Sequence, residues 1–142
     1  MGNAVNSLVL LSNERIVAGM GGRYMKVISY RKMKWIESYE VDDEIDLIVA
    51  DLSFISEKTV LPVFKTLLKE NGHMIILIKP QFELEKNKLT KSGIVKSDKL
   101  RETAKEGIIE FATALGFTVS GVTETPRLFD NKNVEYLVYL KK

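Results

Sequence analysis

The chain has 142 residues, a formal net charge of +2 and no cysteine. That length suits one ordinary domain able to bury its own core, and the lack of cysteine excludes disulfides and thiolate metal sites. With a single histidine, His73, no metal site is expected.

No apolar stretch approaches the ~20 residues of a membrane span. Ser7-Leu8-Val9-Leu10-Leu11 has no basic segment before it and no cleavage signal after it, so it does not read as a leader. A cytoplasmic location without a membrane partner is expected. The net charge is too small to indicate nucleic acid by itself.

In chain order, residues 14–18 form a short strand closed by Gly19, Gly21 and Gly22. This glycine cluster falls short of G-x-G-x-x-G and reads as a turn. Residues 24–30 read as a strand or as the start of a helix. The stretch from Arg23 to Trp35 holds Arg23, Lys26, Arg31, Lys32 and Lys34, interleaved with Tyr24, Tyr30 and Trp35, and no acid. Basic groups contact phosphates and aromatics stack on unpaired bases, so these residues are candidates for RNA binding. A solvated amphipathic element is the alternative.

Asp42-Asp43-Glu44 breaks the chain before a strand over 45–50. Apolar groups at Val60, Leu61, Phe64, Leu67 and Leu68 have helical spacing, with Ser56 as cap and Asn71-Gly72 as terminator. A strand over 73–78 follows. Residues 84–96 are polar and lysine-rich and read as a loop. Within it Lys86, Lys88 and Lys91 could meet an RNA backbone, or could simply be solvated. Asp98 opens a helix to about Leu115, ended by Gly116. Residues 117–122 and 134–140 read as strands whose connection is too short for a crossover helix, hence an antiparallel hairpin.

Two apolar runs stop on a charge: Leu47 to Ala50 before Asp51, and Met74 to Ile78 before Lys79. Runs that are apolar on both faces suit parallel strands covered on both sides. A charge ending such a strand lies at the carboxyl edge, where open α/β sheets place ligands. An aspartate there can also be a plain cap, and Glu135 in an alternating strand can be a plain surface residue. Lys79 is the less ordinary of the three, because burying an unpaired ammonium is costly.

The strings Asp51-Leu52-Ser53-Phe54-Ile55-Ser56, Ile78-Lys79-Pro80-Gln81-Phe82-Glu83, Gly93-Ile94-Val95 and Asn133-Val134-Glu135-Tyr136-Leu137 occur in that order. In them the chain resembles the C-terminal half of the TlyA-type hemolysin family, which is similar to FtsJ-type ribosomal RNA methyltransferases. The resemblance implies an α/β Rossmann-like fold, a mostly parallel sheet with an antiparallel C-terminal hairpin. It also implies S-adenosylmethionine as cofactor, ribosomal RNA as partner, and methyl transfer to a ribose 2′-hydroxyl. Asp51, Lys79 and Glu135 match three members of the family's Lys-Asp-Lys-Glu tetrad and are the catalytic candidates.

The first lysine of that tetrad, the glycine-rich cofactor loop and the acid ending the second strand have no counterpart here. The chain therefore reads as a single, N-terminally truncated methyltransferase-like domain over 1–142. It lacks the first strands and is incomplete as a stand-alone enzyme, with doubtful cofactor binding. A non-enzymatic RNA-binding remnant is the alternative, and a membrane-active hemolysin a weaker one. Loss of the first strand would leave the strand ending at Asp51 with an open, aggregation-prone edge. Either residues 1–35 refold to cover that edge, or two chains pair there as a homodimer.

Overall fold

A computed structural model describes the backbone of Ser7–Leu11, Arg15–Met20 and Tyr24–Ser29, and residues 45–142 with their side chains except Leu128 and Asp130. Seven strands form one sheet: β1 (Ser7–Leu11), β2 (Arg15–Met20), β3 (Tyr24–Ser29), β4 (Ile45–Ala50), β5 (Leu68–Ile78), β6 (Thr118–Glu124) and β7 (Tyr136–Lys141). Their spatial order is β3-β2-β1-β4-β5-β7-β6. β1, β4 and β5 are parallel neighbours, and every other pairing is antiparallel. Only β2 and β7 run against the common direction. The α/β sheet with an antiparallel C-terminal hairpin is as expected.

The N-terminal strands account for the edge problem. β1 pairs in parallel with β4, from Ser7 opposite Leu47 to Leu10 opposite Ala50. It thus fills the place beside β4 that the sequence left open. Of the two expected outcomes this is the first, and β4 offers no edge to a second chain. Residues 24–29 are strand, not helix. They pair antiparallel with β2, which pairs antiparallel with β1. Three residues separate β1 from β2, too few for the helix of a parallel crossover.

Of three helices, α1 (Glu57–Leu67) and α3 (Asp98–Ala114) follow the sequence closely, and α2 (Pro80–Glu83) is a single further turn that the sequence did not signal. Ser56 caps α1, its side chain accepting from Lys58 N, and Ser97 caps α3 by accepting from Leu100 N. Gly116, at φ 95°, ends α3 where a side chain would be strained.

One expectation shifts. β5 begins at Leu68, directly after α1, instead of at His73. Ile45 opposes Leu68 but Leu47 opposes His73, so the intervening residues bulge out of the ladder. The Asn71-Gly72 turn is real, with Asn71 at φ 61°, but it lies inside this bulge. A Cβ on Gly72 would come within 2.8 Å of the Lys69 carbonyl.

The core forms on the sheet face that α1 and α3 cover. Met74, Ile76 and Ile78 of β5, and Val138 and Leu140 of β7, are buried against Val60, Leu61 and Phe64 of α1 and Ile108 and Ala112 of α3. On the opposite face Val49, Ile75 and Leu77 are only half-buried. The apolar runs thus mark parallel strands correctly, although one face is packed more fully than the other. Tyr136 Oη donates to Glu102 Oε1 at 3.1 Å, tying β7 to α3.

Candidate active site at the carboxyl edge of β4 and β5

β4 and β5 are parallel, with Ala50 opposite Ile76, so both end at one edge of the sheet. Asp51 follows β4 immediately and Lys79 follows β5 immediately. Their side chains meet: Lys79 Nζ lies 2.6 Å from Asp51 Oδ1. The lysine side chain is only 11% exposed and the aspartate 49%. A nearly buried ammonium is thus held against a carboxylate that opens to solvent, which meets the requirement that a buried charge be paired. Asp51 Oδ1 itself is shielded from water and has no aligned hydrogen-bond donor, so its contact with Nζ is ionic. Nζ does donate to Ser53 Oγ at 3.0 Å.

Glu135 arrives at the same edge from the neighbouring strand. β7 opposes β5 with Tyr136 across from Ile78, which sets Glu135 one step before the strand at the level of Lys79. It is not within β7 as expected. Its Oε1 accepts from Gln81 Nε2 at 3.3 Å, and no ion pair joins it to Lys79 among the described residues. The structure therefore joins Asp51 to Lys79 and brings Glu135 to the same edge on a different partner.

A cavity of about 500 Å³ opens beside Glu135, lined among others by Gln81, Arg127, Phe129, Asn131 and Lys132. Its size is that of a small-molecule or nucleotide site. Asn133 builds its wall, accepting from Val95 N and donating to the Gly93 carbonyl, both at 2.9 Å. Gln81 Oε1 is buried without a partner.

Four residues at this edge escaped the sequence: Ser53, Glu57, Gln81 and Glu83. All lie in or next to the two motif strings, and the available signal was a polar residue following a buried strand. Glu57 is 2% exposed. Burial, then the Glu83 carboxylate, push its pKa up to about 8; Lys79 opposes this and Asp51 adds to it. Burial also raises the Glu83 carboxyl, against hydrogen bonds from Ser56 and the Glu57 backbone. Phe54, three residues after Asp51, is 89% exposed and sits at φ 65°. Its ring lies 4.8 Å from that of Phe82, which is three residues after Lys79. A non-glycine residue held in the left-handed region next to a charged site is a form of strain that accompanies function.

The expected RNA-contact residues divide. Lys86, Lys88 and Lys91 are exposed on the loop after α2, where residues 86–88 make one 3₁₀ turn. Lys26 lies on β3 opposite Ala18. Arg23, Arg31, Lys32 and Lys34 fall outside the described residues. His73 Nδ1 lies 2.7 Å from Tyr139 Oη, tying β5 to β7. No helix among the described residues is long and apolar enough to cross a membrane.

S-adenosylmethionine does not fit the described residues as a complete site. The crevice of an open α/β sheet uses a tight loop leading to a helix N-terminus after the first strand. Here β1 turns back within three residues into antiparallel β2. What is present is the Asp51–Lys79–Ser53 cluster and the neighbouring polar cavity.

An α/β sheet with this edge defines a methyltransferase-type fold. The FtsJ-like methyltransferase family model matches residues 13–142, and the chain belongs to that family. It is 36% identical over 101 residues to the 16S/23S rRNA (cytidine-2'-O)-methyltransferase TlyA of Mycobacterium tuberculosis, covering 71% of this chain and 38% of that protein. It is 36% identical over 99 residues to Hemolysin A of Brachyspira hyodysenteriae, covering 69% of this chain and 41% of that protein. Among solved structures, a "putative hemolysin" from Lactococcus lactis superposes with a TM-score of 0.67 at 36% identity, over 75% of this chain and 50% of that one. The chain spans about two fifths of the length of these curated relatives.

Proposed function

We propose that this chain carries the RNA-acceptor half of a ribose 2′-O-methyltransferase site, and that by itself it is incomplete as an enzyme. The Asp51–Lys79 ion pair at the carboxyl edge, 2.6 Å apart with the lysine nearly buried, is the observation that carries the reading. S-adenosylmethionine, when bound in such a site, supplies a sulfonium methyl group. The residues of this chain act on the hydroxyl. Lys79 takes the ribose proton as a neutral amine, after its ammonium has released one proton to solvent at the half-exposed Asp51; Asp51 orients it, and Glu135 completes the polar edge. Alignment of the hydroxyl supplies a large part of the rate in such reactions.

The relatives' names support ribosomal RNA as the partner, which would place the chain in the cytoplasm. Lys86, Lys88 and Lys91 are positioned for the RNA backbone. Exposed Phe54 offers a stacking face for an unpaired base. Phe54→Ala is expected to weaken binding of a single-stranded ribosomal RNA fragment about tenfold, read by filter binding, since base–aromatic stacking is worth roughly 1–3 kcal/mol.

Calorimetric titration of the purified chain separates the readings. The expected result is heat on adding the RNA fragment, weakening as salt rises, and none on adding S-adenosylmethionine. Micromolar S-adenosylmethionine binding would mean that the cofactor half is present and would overturn the incompleteness. Absence of RNA binding would overturn the acceptor role.

A further inference from the structure

We propose that Glu83 is a positioning residue for the Asp51–Lys79 pair, clamping the turn after β4 to the turn after β5. This deepens the reading above by naming what holds that pair in place. Beyond Ala50 and Ile78 the strand ladder no longer fixes either turn. Asp51 starts one turn, which runs through Ser53 to the cap of α1. Lys79 starts the other, which is α2, a single turn of four residues whose first residue has no side-chain cap. One helical turn does not sustain itself in water.

Glu83 closes α2 and supplies the missing tie. Its Oε1 accepts from Glu57 N at 2.8 Å and its Oε2 accepts from Ser56 Oγ at 2.5 Å. One carboxylate thus occupies both the cap hydroxyl and the first free N–H of α1, where a negative charge is favoured. Ser56 Oγ in turn accepts from Lys58 N at 3.1 Å, so cap and clamp share one hydroxyl. The Phe54–Phe82 ring contact lies within the same pair of turns. Without the clamp, α2 would be free to fray and Lys79 to turn toward water, away from Asp51 and Ser53.

The test reads the lysine directly and needs neither cofactor nor RNA. In the full chain with 15N-labelled lysine, the side-chain ammonium of Lys79 is assigned by its loss in Lys79→Arg, and its exchange with water is measured. Wild type is expected to exchange at least about tenfold more slowly than free lysine, because opening must break the hydrogen bonds that hold the two turns together. Glu83→Ala is expected to abolish that protection. Glu83→Gln can still accept from Glu57 N and donate to Ser56 Oγ, and is expected to restore it. Ser97→Ala, which removes the cap of α3, lowers stability by a similar amount and is expected to leave Lys79 protected.

Retained protection in Glu83→Ala, or equal loss in Ser97→Ala, would overturn the proposal. If Glu83→Ala does not fold, Ser56→Ala removes one arm of the clamp and is read in the same way: faster exchange supports the clamp and unchanged exchange overturns it. A wild-type chain that binds no RNA but shows this exchange pattern would sink the functional reading and leave the clamp standing.

Discussion

Glu57→Gln is expected to reverse its effect on stability between acid and alkaline pH. The wild-type carboxyl is buried, with Oε2 unpartnered, and titrates at about 8 in the folded chain against 4.5 for the free group. Between those values the folded state keeps a proton that the unfolded state has released. Wild-type stability from this group is therefore full below about pH 4.5, falls as pH rises, and is lost above about 8. The slope is at most about 1.4 kcal/mol per pH unit, so the whole effect is of the order of a few kcal/mol.

Glutamine at position 57 carries no proton to lose. It does carry amide hydrogens that the site does not satisfy, at a cost of about 1–3 kcal/mol. Urea unfolding at pH 5 should find the variant the less stable. At pH 9 it should find the variant the more stable. The wild-type slope also includes Glu83, whose carboxyl is raised too and acts with the same sign. Parallel curves for variant and wild type would mean that Glu57 is charged in the folded state.

The same residue shows why part of the site is hidden from the sequence. Asp51 and Lys79 are legible because each ends a continuous apolar run, and strand ends are set by local pattern. Glu57 and Glu83 owe their chemistry to two turns meeting across 26 residues of chain, which no local pattern encodes. The fold divides along the same line. Ile45–Ala50, α3 and the final hairpin follow period, caps and terminators, and α1 follows its period and cap. β1 reads only as a short apolar run, because its role depends on pairing with β4, more than thirty residues later. The bulge at Lys69–Gly72 is likewise a matter of register with β4 and leaves no local trace.

Glu135 lies between these cases. The family resemblance locates it at the site, whereas its contact with Gln81 depends on how β7 returns beside β5.

The chain alone is expected to transfer no methyl group. Joining its residues 45–142 to the part of the Mycobacterium tuberculosis relative that precedes the matched segment should restore transfer to ribosomal RNA. The graft would bring a cofactor half to an acceptor half of the same family. Lys79→Ala in that chimaera should lower the rate by about 10²–10⁴-fold, the range expected for loss of a positioned acid–base group.

Lys79→Arg makes the reading sharper. Arginine keeps the charge and can pair with Asp51, but it does not give up or take a proton under these conditions. A loss as deep as that of alanine would assign Lys79 to proton transfer. Near-normal activity would reduce it to a cation that aligns the hydroxyl. Folding is controlled by the same pair of variants. Asp51 is half in water as a whole, but its Oδ1 is shielded and faces only the Lys79 ammonium, so Lys79→Ala leaves that oxygen without its cation and should lower the melting temperature of the chimaera. Lys79→Arg keeps a cation against Asp51 and should melt close to the parent, so its loss of rate can be read as chemistry.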